Sequence, residues 1–359
     1  MKGFYFSFLI YFTILHNTAS QPINEKIDKI ILSKASEING PGGVFLVSKR
    51  NKIIYHKGFG KANIELAVDM KVDNVFQLGS LTKQFTAIAI LILEEQGKLK
   101  TEDKISKYIA DYPNGDKITV HHLLTHTSGI KDFTTMKGLN DISLKEMTPK
   151  DMLEFFKNEP LDFNPGEKFD YNNSGYFLLG YLIELISGGS YQDFIQEKIF
   201  TPIQMNSSYY ASDKIIVKHR AYGYRKKENV YENKRIINFS IPYSSGALMS
   251  TTSDMLRWQN ALNQNILLKF ESISKAFNKY TLNNGEEISY GYGWHIKDID
   301  GVTTREHGGS IFGFKSMGIY IPSEDIYVLG LTNCDCISPT QMIRDIAKLA
   351  LESFRYSDK

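Results

Sequence analysis

Apolar positions recur three and four apart over residues 22–37, where Ile23, Ile27, Ile30 and Ile31 share one side of a helix. They then fall into two extended runs in "GGVFLVSKRNKIIYHKGFG" (42–60), which reads as a pair of strands around the turn "SKRNK". From Leu78 to about Leu256 helical spacing dominates, with helices expected over 81–97, 148–157, 176–187 and 191–199. The chain then returns to strands. "ISYGYGWHI" (288–296), "TTREHGG" (303–309), "FKSMGIYIP" (314–322) and "DIYVLGLTN" (325–333) are short, alternating and bounded by Gly, Pro and Asp, as antiparallel strands are. "SPTQMIRDIAKLALESF" (338–354) closes the pattern as a helix, with Ser338 as N-cap, Pro339 in the first turn and an apolar face of Met342, Ile343, Ile346, Leu349 and Ala350. Strands at both ends around a helical middle predict an α/β fold of the α+β type. Its antiparallel sheet comes from both chain ends, is flanked by terminal helices and carries an inserted, mostly helical lobe. The α/β lobe is expected at about 21–78 and 257–359, the helical lobe at about 79–256, and the site in the cleft between them.

The 359 residues are 42% hydrophobic, enough for a substantial core. Forty-two Lys and Arg against 40 Asp and Glu give a net charge of +2 without long like-charge blocks, so a nucleic-acid partner is not indicated. A small-molecule or peptide substrate is expected. Met1-Lys2, an apolar run from Gly3 to Leu15 and "HNTAS" have the charged start, short hydrophobic core and small-residue end of a secretory signal peptide over residues 1–20. Its roughly 13 apolar positions fall short of the ~20 that span a bilayer. No stable membrane span is therefore expected after leader removal. Residues 21–359 then form a single exported domain, periplasmic or extracellular in a bacterial cell envelope. Cys334 and Cys336, one residue apart in "LTNCDC", are expected to be ordinary thiols, because a disulfide at that spacing needs strained geometry.

Ser80 and Lys83 in "FQLGSLTKQFTAIAILIL" stand at i and i+3, so on a helix their side chains lie about 60° apart on one face. Desolvation of a lysine in a cleft lowers its proton affinity toward one that can draw a proton from serine. The helix N-terminus also offers N–H groups to an oxyanion. Most Ser-x-x-Lys occurrences are capped helices with a solvated lysine, but the apolar flanks here bury this one. In "NPGEKFDYNNSGYFLLGYLIELISG" (164–188), Tyr171 and Asn173 precede a helix and point the same way, giving a phenol for proton transfer and an amide to orient substrate. In "EHGGSIFGF" (306–314), His307 and Gly309 share a strand face, and the glycines allow a peptide-like substrate to approach the edge. His122 and His126 in "VHHLLTHTSGI" have helical i, i+4 spacing, yet no Glu follows the first His and no third ligand is evident, so no metal is expected. A Gly-x-Ser-x-Gly elbow is absent, which weighs against a Ser-His-Asp hydrolase.

Together, "LGSLTKQFTA", "HHLLTHTSGI", "PGEKFDYNNSGYFLLGYLIE", "SSGALMSTTSDMLRW" and "HGGSIFGFKS" resemble, in order over roughly residues 25–355, the penicillin-recognising serine hydrolases: class C β-lactamases, D-alanyl-D-alanine carboxypeptidases and related esterases and D-amino-acid peptidases. The resemblance implies a β-lactamase/transpeptidase-like fold and an acyl-enzyme on Ser80 formed on an amide or ester, without cofactor. By the same resemblance Lys83 eases deprotonation of Ser80, Tyr171 returns the proton to the leaving group, and Asn173 positions the substrate amide. The N–H groups of Ser80 and Ser310 form the oxyanion hole, and "LLTHTSGI" is structural. His307 replaces the lysine that opens the family's Lys-Thr-Gly strand, as a weaker, pH-dependent cation. That departure argues against efficient β-lactam hydrolysis and toward the esterase and D-peptidase branch. A noncatalytic binder of cell-wall peptides is the alternative, which the presence of both nucleophile and base disfavours.

Overall fold

The computed structural model describes residues 22–34, 37 and 39–357, with the side chains of 356 and 357 excepted. The expected leader lies outside the described residues. Helix α1 (Ile23–Lys34) leads into strands β1 (Gly43–Lys49) and β2 (Lys52–Phe59), joined at Arg50 and Asn51, both with positive φ as a tight hairpin turn requires. The mainly helical stretch includes α2 (Thr82–Glu95), α3 (Asn173–Ser187) and α4 (Thr252–Asn263). Strands β3 (His295–Ile299), β4 (Val302–Ile311), β5 (Phe314–Ile321) and β6 (Ile326–Thr332) follow, and α5 (Pro339–Ser357) ends the chain.

All six strands form one antiparallel sheet in the order β3-β4-β5-β6-β1-β2, with β1 joined to β6 from Gly43↔Thr332 to Lys49↔Ile326. The first hairpin thus completes a sheet begun by the last strands. Side-chain alternation shows what the sheet separates: Val44 and Leu46 of β1 face the large core shared with the helical middle, while Phe45 and Val47 face α1 and α5. β6 repeats this, with Leu329 and Leu331 on one side and Ile326 and Val328 on the other. Both faces are covered, which explains the nearly continuous apolar runs in β1, β5 and β6. α5 is further anchored by Arg344, whose Nη1 donates to both carboxylate oxygens of buried Glu306 at 2.6 and 2.7 Å.

Two expectations are corrected. "ISYGYGWHI" is not one strand. Only Glu287–Ile288 and the segment from His295 are extended, because Gly291 packs against the backbone of Ala276 and Gly293, at φ +86°, turns against α2. Cys334 and Cys336 are joined by a disulfide: beyond β6 the chain folds back so that their Cα atoms lie 5.1 Å apart, within bridging range. Asp335, held between them, accepts a hydrogen bond from the Gly313 N–H (2.8 Å) and so pins the β4–β5 turn.

α2 is buried on every side from Thr82 to Leu93, as a helix apolar all round should be. Phe85 stacks on Trp258 of α4 at 4.1 Å between ring centroids, and Thr86 donates to the Ser244 carbonyl at 2.7 Å. These contacts fix the depth at which the N-terminal end of α2 meets β4. Among the described residues no helix is long and apolar enough to cross a membrane.

Candidate active site

Ser80 sits in a 3-10 turn, Gly79–Leu81, that runs into α2. Its hydroxyl caps neither helix, so the ordinary reason for a serine here does not apply. Gly79 adopts φ +56° with its Cα against Ser310, where a Cβ would lie 2.8 Å from the Ser310 nitrogen. Across the gap, a Cβ on Gly309 would meet the Leu78 carbonyl at 2.0 Å and the Ser80 nitrogen at 3.0 Å. Two facing glycines therefore let the turn and β4 touch backbone to backbone, and the Ser316 hydroxyl clasps them by donating to Leu78 O at 2.8 Å. The contact brings the backbone of the Ser80 turn against that of Gly309 and Ser310. The amides of a first helical turn lack intrahelical acceptors, so that of Ser80 suits an oxyanion.

Lys83 is fully buried. Its Nζ lies 3.1 Å from Ser80 Oγ, 2.9 Å from Asn173 Oδ1 and 2.9 Å from the Ser245 carbonyl oxygen. It also stands over the Tyr171 ring, 4.8 Å from the centroid. Burial lowers its pKa to about 7, against an upward pull from the Asp132 carboxylate. At that value a large fraction is neutral amine near neutral pH. A neutral amine has two N–H donors and one lone pair, and the Asn173 and Ser245 oxygens can only accept. The lone pair is left for the one partner able to donate, the Ser80 hydroxyl.

Tyr171 is likewise buried, and desolvation pushes its phenol well above the ordinary value, opposed by the neighbouring Ser80 side chain. The two hydroxyls nevertheless form no hydrogen bond, and the phenol has no partner among the described residues. It is a protonated phenol buried beside Ser80. Asn172, not Asn173, caps α3, by accepting from the Gly175 N–H at 2.8 Å. Asn173 is freed for the site: its Nδ2 and backbone N both donate to Asp132 Oδ2 at 3.0 Å while Oδ1 faces Lys83.

The "THTSGI" segment explains how Tyr171 is held. The His126 carbonyl accepts from Asp170 N (2.9 Å) and its Nδ1 from Asn172 N (3.0 Å), one bond on each side of Tyr171, and its ring lies 4.3 Å from the tyrosine ring. Thr127 and Gly129 carbonyls extend the ladder to Gly166 and Asp162. Because Nδ1 accepts, the imidazole is neutral, and burial keeps its pKa well below the ordinary value. His122 is turned to the Thr119 N–H as part of a capping box, and His126, at φ +60°, has left the helix, so the two do not share a helical face.

His307 differs from the sequence expectation in its charge. It is 2% exposed, and its Nδ1 lies 2.6 Å from the Gly308 carbonyl and its Nε2 3.1 Å from the Tyr290 hydroxyl. A carbonyl only accepts, so the proton sits on Nδ1 and Nε2 accepts from tyrosine. Burial, then His295 and Lys83, lower its pKa far below the ordinary range. His307 is a neutral wall, not a pH-dependent cation, because its ring is buried with both nitrogens engaged.

Two cavities open on Ser80 and Tyr171. One of about 580 Å³ has apolar walls that include Phe133, Leu139, Ile237, Ile241 and Phe312; the other, about 370 Å³, runs along β4 past His307 and Ser310 to Ser338 and Thr340. Lys315 lines both. A hollow of about 490 Å³ near Glu146, Asp213 and Tyr243 lies elsewhere and contains none of the site residues. The structure therefore gathers Ser80, Lys83, Tyr171, Asn173, His307, Gly309 and Ser310 in one place. Sequence reasoning missed Asp132, the Ser245 carbonyl, the His126 clamp and Lys315. His126, Ser245 and Lys315 lie within the quoted segments "HHLLTHTSGI", "SSGALMSTTSDMLRW" and "HGGSIFGFKS", whereas Asp132 lies in none of them.

A family model for beta-lactamase matches residues 27–350. A penicillin-binding protein of Bacillus subtilis (strain 168) is 34% identical over 292 residues, covering 77% of this chain, and the chain spans 64% of that relative's length. The octameric penicillin-binding protein homologue from Pyrococcus abyssi superposes with a TM-score of 0.79 at 30% identity, over 91% of this chain and 77% of that one. D-amino acid amidase from Ochrobactrum anthropi SV3 shares the fold, with a TM-score of 0.80 at 22% identity over 94% and 99% of the two chains. With most of its length matched by the family model and more than nine-tenths of its fold shared with a penicillin-binding protein homologue, the chain belongs to the beta-lactamase family.

Proposed function

We propose that the protein hydrolyses an amide or ester through an acyl-enzyme on Ser80, with a D-amino-acid peptide, ester or β-lactam-like compound as substrate. The observation that carries this reading is the Lys83 amine, buried 3.1 Å from Ser80 Oγ with two pure acceptors on its other sides. Neutral Lys83 takes the Ser80 proton as Oγ bonds to the substrate carbonyl carbon, and the oxyanion receives the N–H groups of Ser80 and Ser310. As the carbonyl–leaving-group bond breaks, the Tyr171 phenol donates its proton to the departing nitrogen or oxygen. The Lys83 ammonium, over the same ring, then restores the phenol. Water releases the acyl group by the same steps in reverse. Asn173, held by Asp132, orients Lys83 and the substrate amide. Gly309 lets β4 close on the Ser80 turn, and His307 forms the neutral floor beside Tyr171. The charged, apolar, small-residue pattern of residues 1–20 supports export to the cell envelope.

Incubation with an uncharged fluorophosphonate or a penicillin analogue, read by intact mass, should show a single adduct that is absent in Ser80→Ala. Absence of an adduct from the wild type across a range of such probes overturns the proposal.

A further inference from the structure

The chain from 239 to 243 is a partition between two cavities. Ile241 and Pro242 line the larger catalytic cavity, whereas Phe239 and Tyr243 line the hollow of about 490 Å³ that holds none of the site residues. Tyr243 opens the short helix Tyr243–Gly246 at φ +40°, a backbone conformation that disfavours a bulky side chain. The catalytic side holds that helix in place: the Ser244 carbonyl accepts from Thr86 at 2.7 Å, and the Ser245 carbonyl from Lys83 at 2.9 Å.

On the far side the Tyr243 hydroxyl is idle. The residue is 5% exposed, and Oη is buried beside the Glu184 carboxylate without a hydrogen-bond partner among the described residues. Burial, then Glu184, push its pKa well above the ordinary value, so the phenol is protonated. Glu184 stands on α3, half-buried in the lining of the same hollow. Its Oε1 accepts from the Tyr191 N–H at 2.9 Å, and it has no ion-pair partner among the described residues. The other acids of the hollow are already paired, Glu146 with Lys214 at 2.7 Å and Asp213 with Arg220 at 3.0 Å. The Tyr210 ring lies 6.4 Å from that of Tyr243 between centroids, with its own hydroxyl donating to the Phe239 carbonyl at 3.0 Å. A carboxylate that only accepts, a free phenol oxygen that can accept and two aromatic rings are partners for an ammonium group, whereas an anion there meets like charge at Glu184.

We infer that this hollow binds a small organic cation, an amine carrying a hydrocarbon or aromatic group, with its ammonium between Glu184 and the Tyr243 hydroxyl. The site is separate from that of Ser80 and does not depend on the reaction proposed there. Its occupant rests against Tyr243, two residues from the carbonyl that holds Lys83, so the two cavities share one wall and one short helix.

The test titrates the full chain with phenethylammonium by isothermal calorimetry at neutral pH, with phenethyl alcohol as the neutral ligand of the same shape. The wild type should bind the ammonium about tenfold more tightly than the alcohol, as a hydrogen bond to a charged group provides. Glu184→Gln, which keeps an oxygen for the Tyr191 N–H, should bring the two ligands to about equal affinity. Tyr243→Phe should weaken the ammonium about threefold or more, the usual range for one hydrogen bond. Asp335→Asn removes the carboxylate that lines the catalytic cavity and should leave both affinities unchanged. Should Glu184→Gln fail to fold, Tyr243→Phe decides, because it deletes one unpaired oxygen and no protein hydrogen bond. No binding of the ammonium at about 10 mM overturns the inference. So does a wild type that does not prefer it to the alcohol, a preference that survives Glu184→Gln, an affinity untouched by Tyr243→Phe, or one lost in Asp335→Asn. Fluorophosphonate labelling of the same samples reads the reaction separately, since a protein that labels at Ser80 yet binds no ammonium refutes only the cation site.

Discussion

Lys83 ties catalysis and stability to one proton. Its pKa of about 7, set chiefly by burial, lies far from the ordinary 10.5. At ~1.4 kcal/mol for each tenfold change in proton affinity, holding the ammonium in the fold costs about 5 kcal/mol relative to the neutral amine. If the neutral amine accepts the Ser80 proton, kcat/KM on a chromogenic ester should rise about tenfold per pH unit below pH 7 and level off above it. The Asp132 carboxylate favours the ammonium, so Asp132→Asn, which keeps an acceptor for Asn173, should move the midpoint to lower pH. The stability sign is opposite to that of a salt-bridged lysine. Between about pH 7 and 10.5 the unfolded chain binds a proton that the folded chain does not, so this group makes the fold more stable as pH rises, by up to ~1.4 kcal/mol per pH unit. Urea denaturation at intervals across that window, wild type minus Lys83→Met, isolates the contribution. A rate that goes on rising through neutral pH and turns only well above pH 10, where burial holds the phenol, would assign the proton transfer to Tyr171 ionisation. That result, or a midpoint raised by Asp132→Asn, refutes the reasoning.

Two further substitutions test the scaffold. Gly309→Ala places a Cβ about where the Leu78 carbonyl oxygen sits, forcing β4 and the Ser80 turn apart. It should lower kcat/KM and the rate of Ser80 labelling by about 100-fold while a folded melting transition remains. Arg344→Met strands the Glu306 carboxylate, which is 1% exposed, and should cost about 3 kcal/mol in urea unfolding; adding Glu306→Gln should recover most of that loss.

What the sequence discloses and what it hides divide along the range of the interactions. The Ser80–Lys83 pair is legible because three residues on a helix fix the distance, and the sheet is legible because short, nearly continuous apolar runs in β1, β5 and β6 record burial on both faces. The last partner of Lys83 is not legible: the Ser245 carbonyl arrives from 162 residues away and has no side chain to announce it. Nor is the charge of His307. Residue type supplies a titratable ring, but the proton is decided by Tyr290 and the Gly308 carbonyl, contacts that exist only once β4 is packed. The cysteine pair fails for a related reason: spacing alone suggests strain, whereas the reversal after β6 brings the two residues together.

The neutrality of the buried groups has one physical origin and two consequences. The same desolvation that keeps His126, His295 and His307 uncharged makes Lys83 a base, because burial penalises the charged form of each. A charged histidine at 307 would lower the Lys83 proton affinity further. In the proposed reaction, proton transfer rests instead on an enclosed amine with fixed partners, whose proton affinity the Asp132 carboxylate pulls upward. Changes at Asp132 should therefore move the pH midpoint set by Lys83.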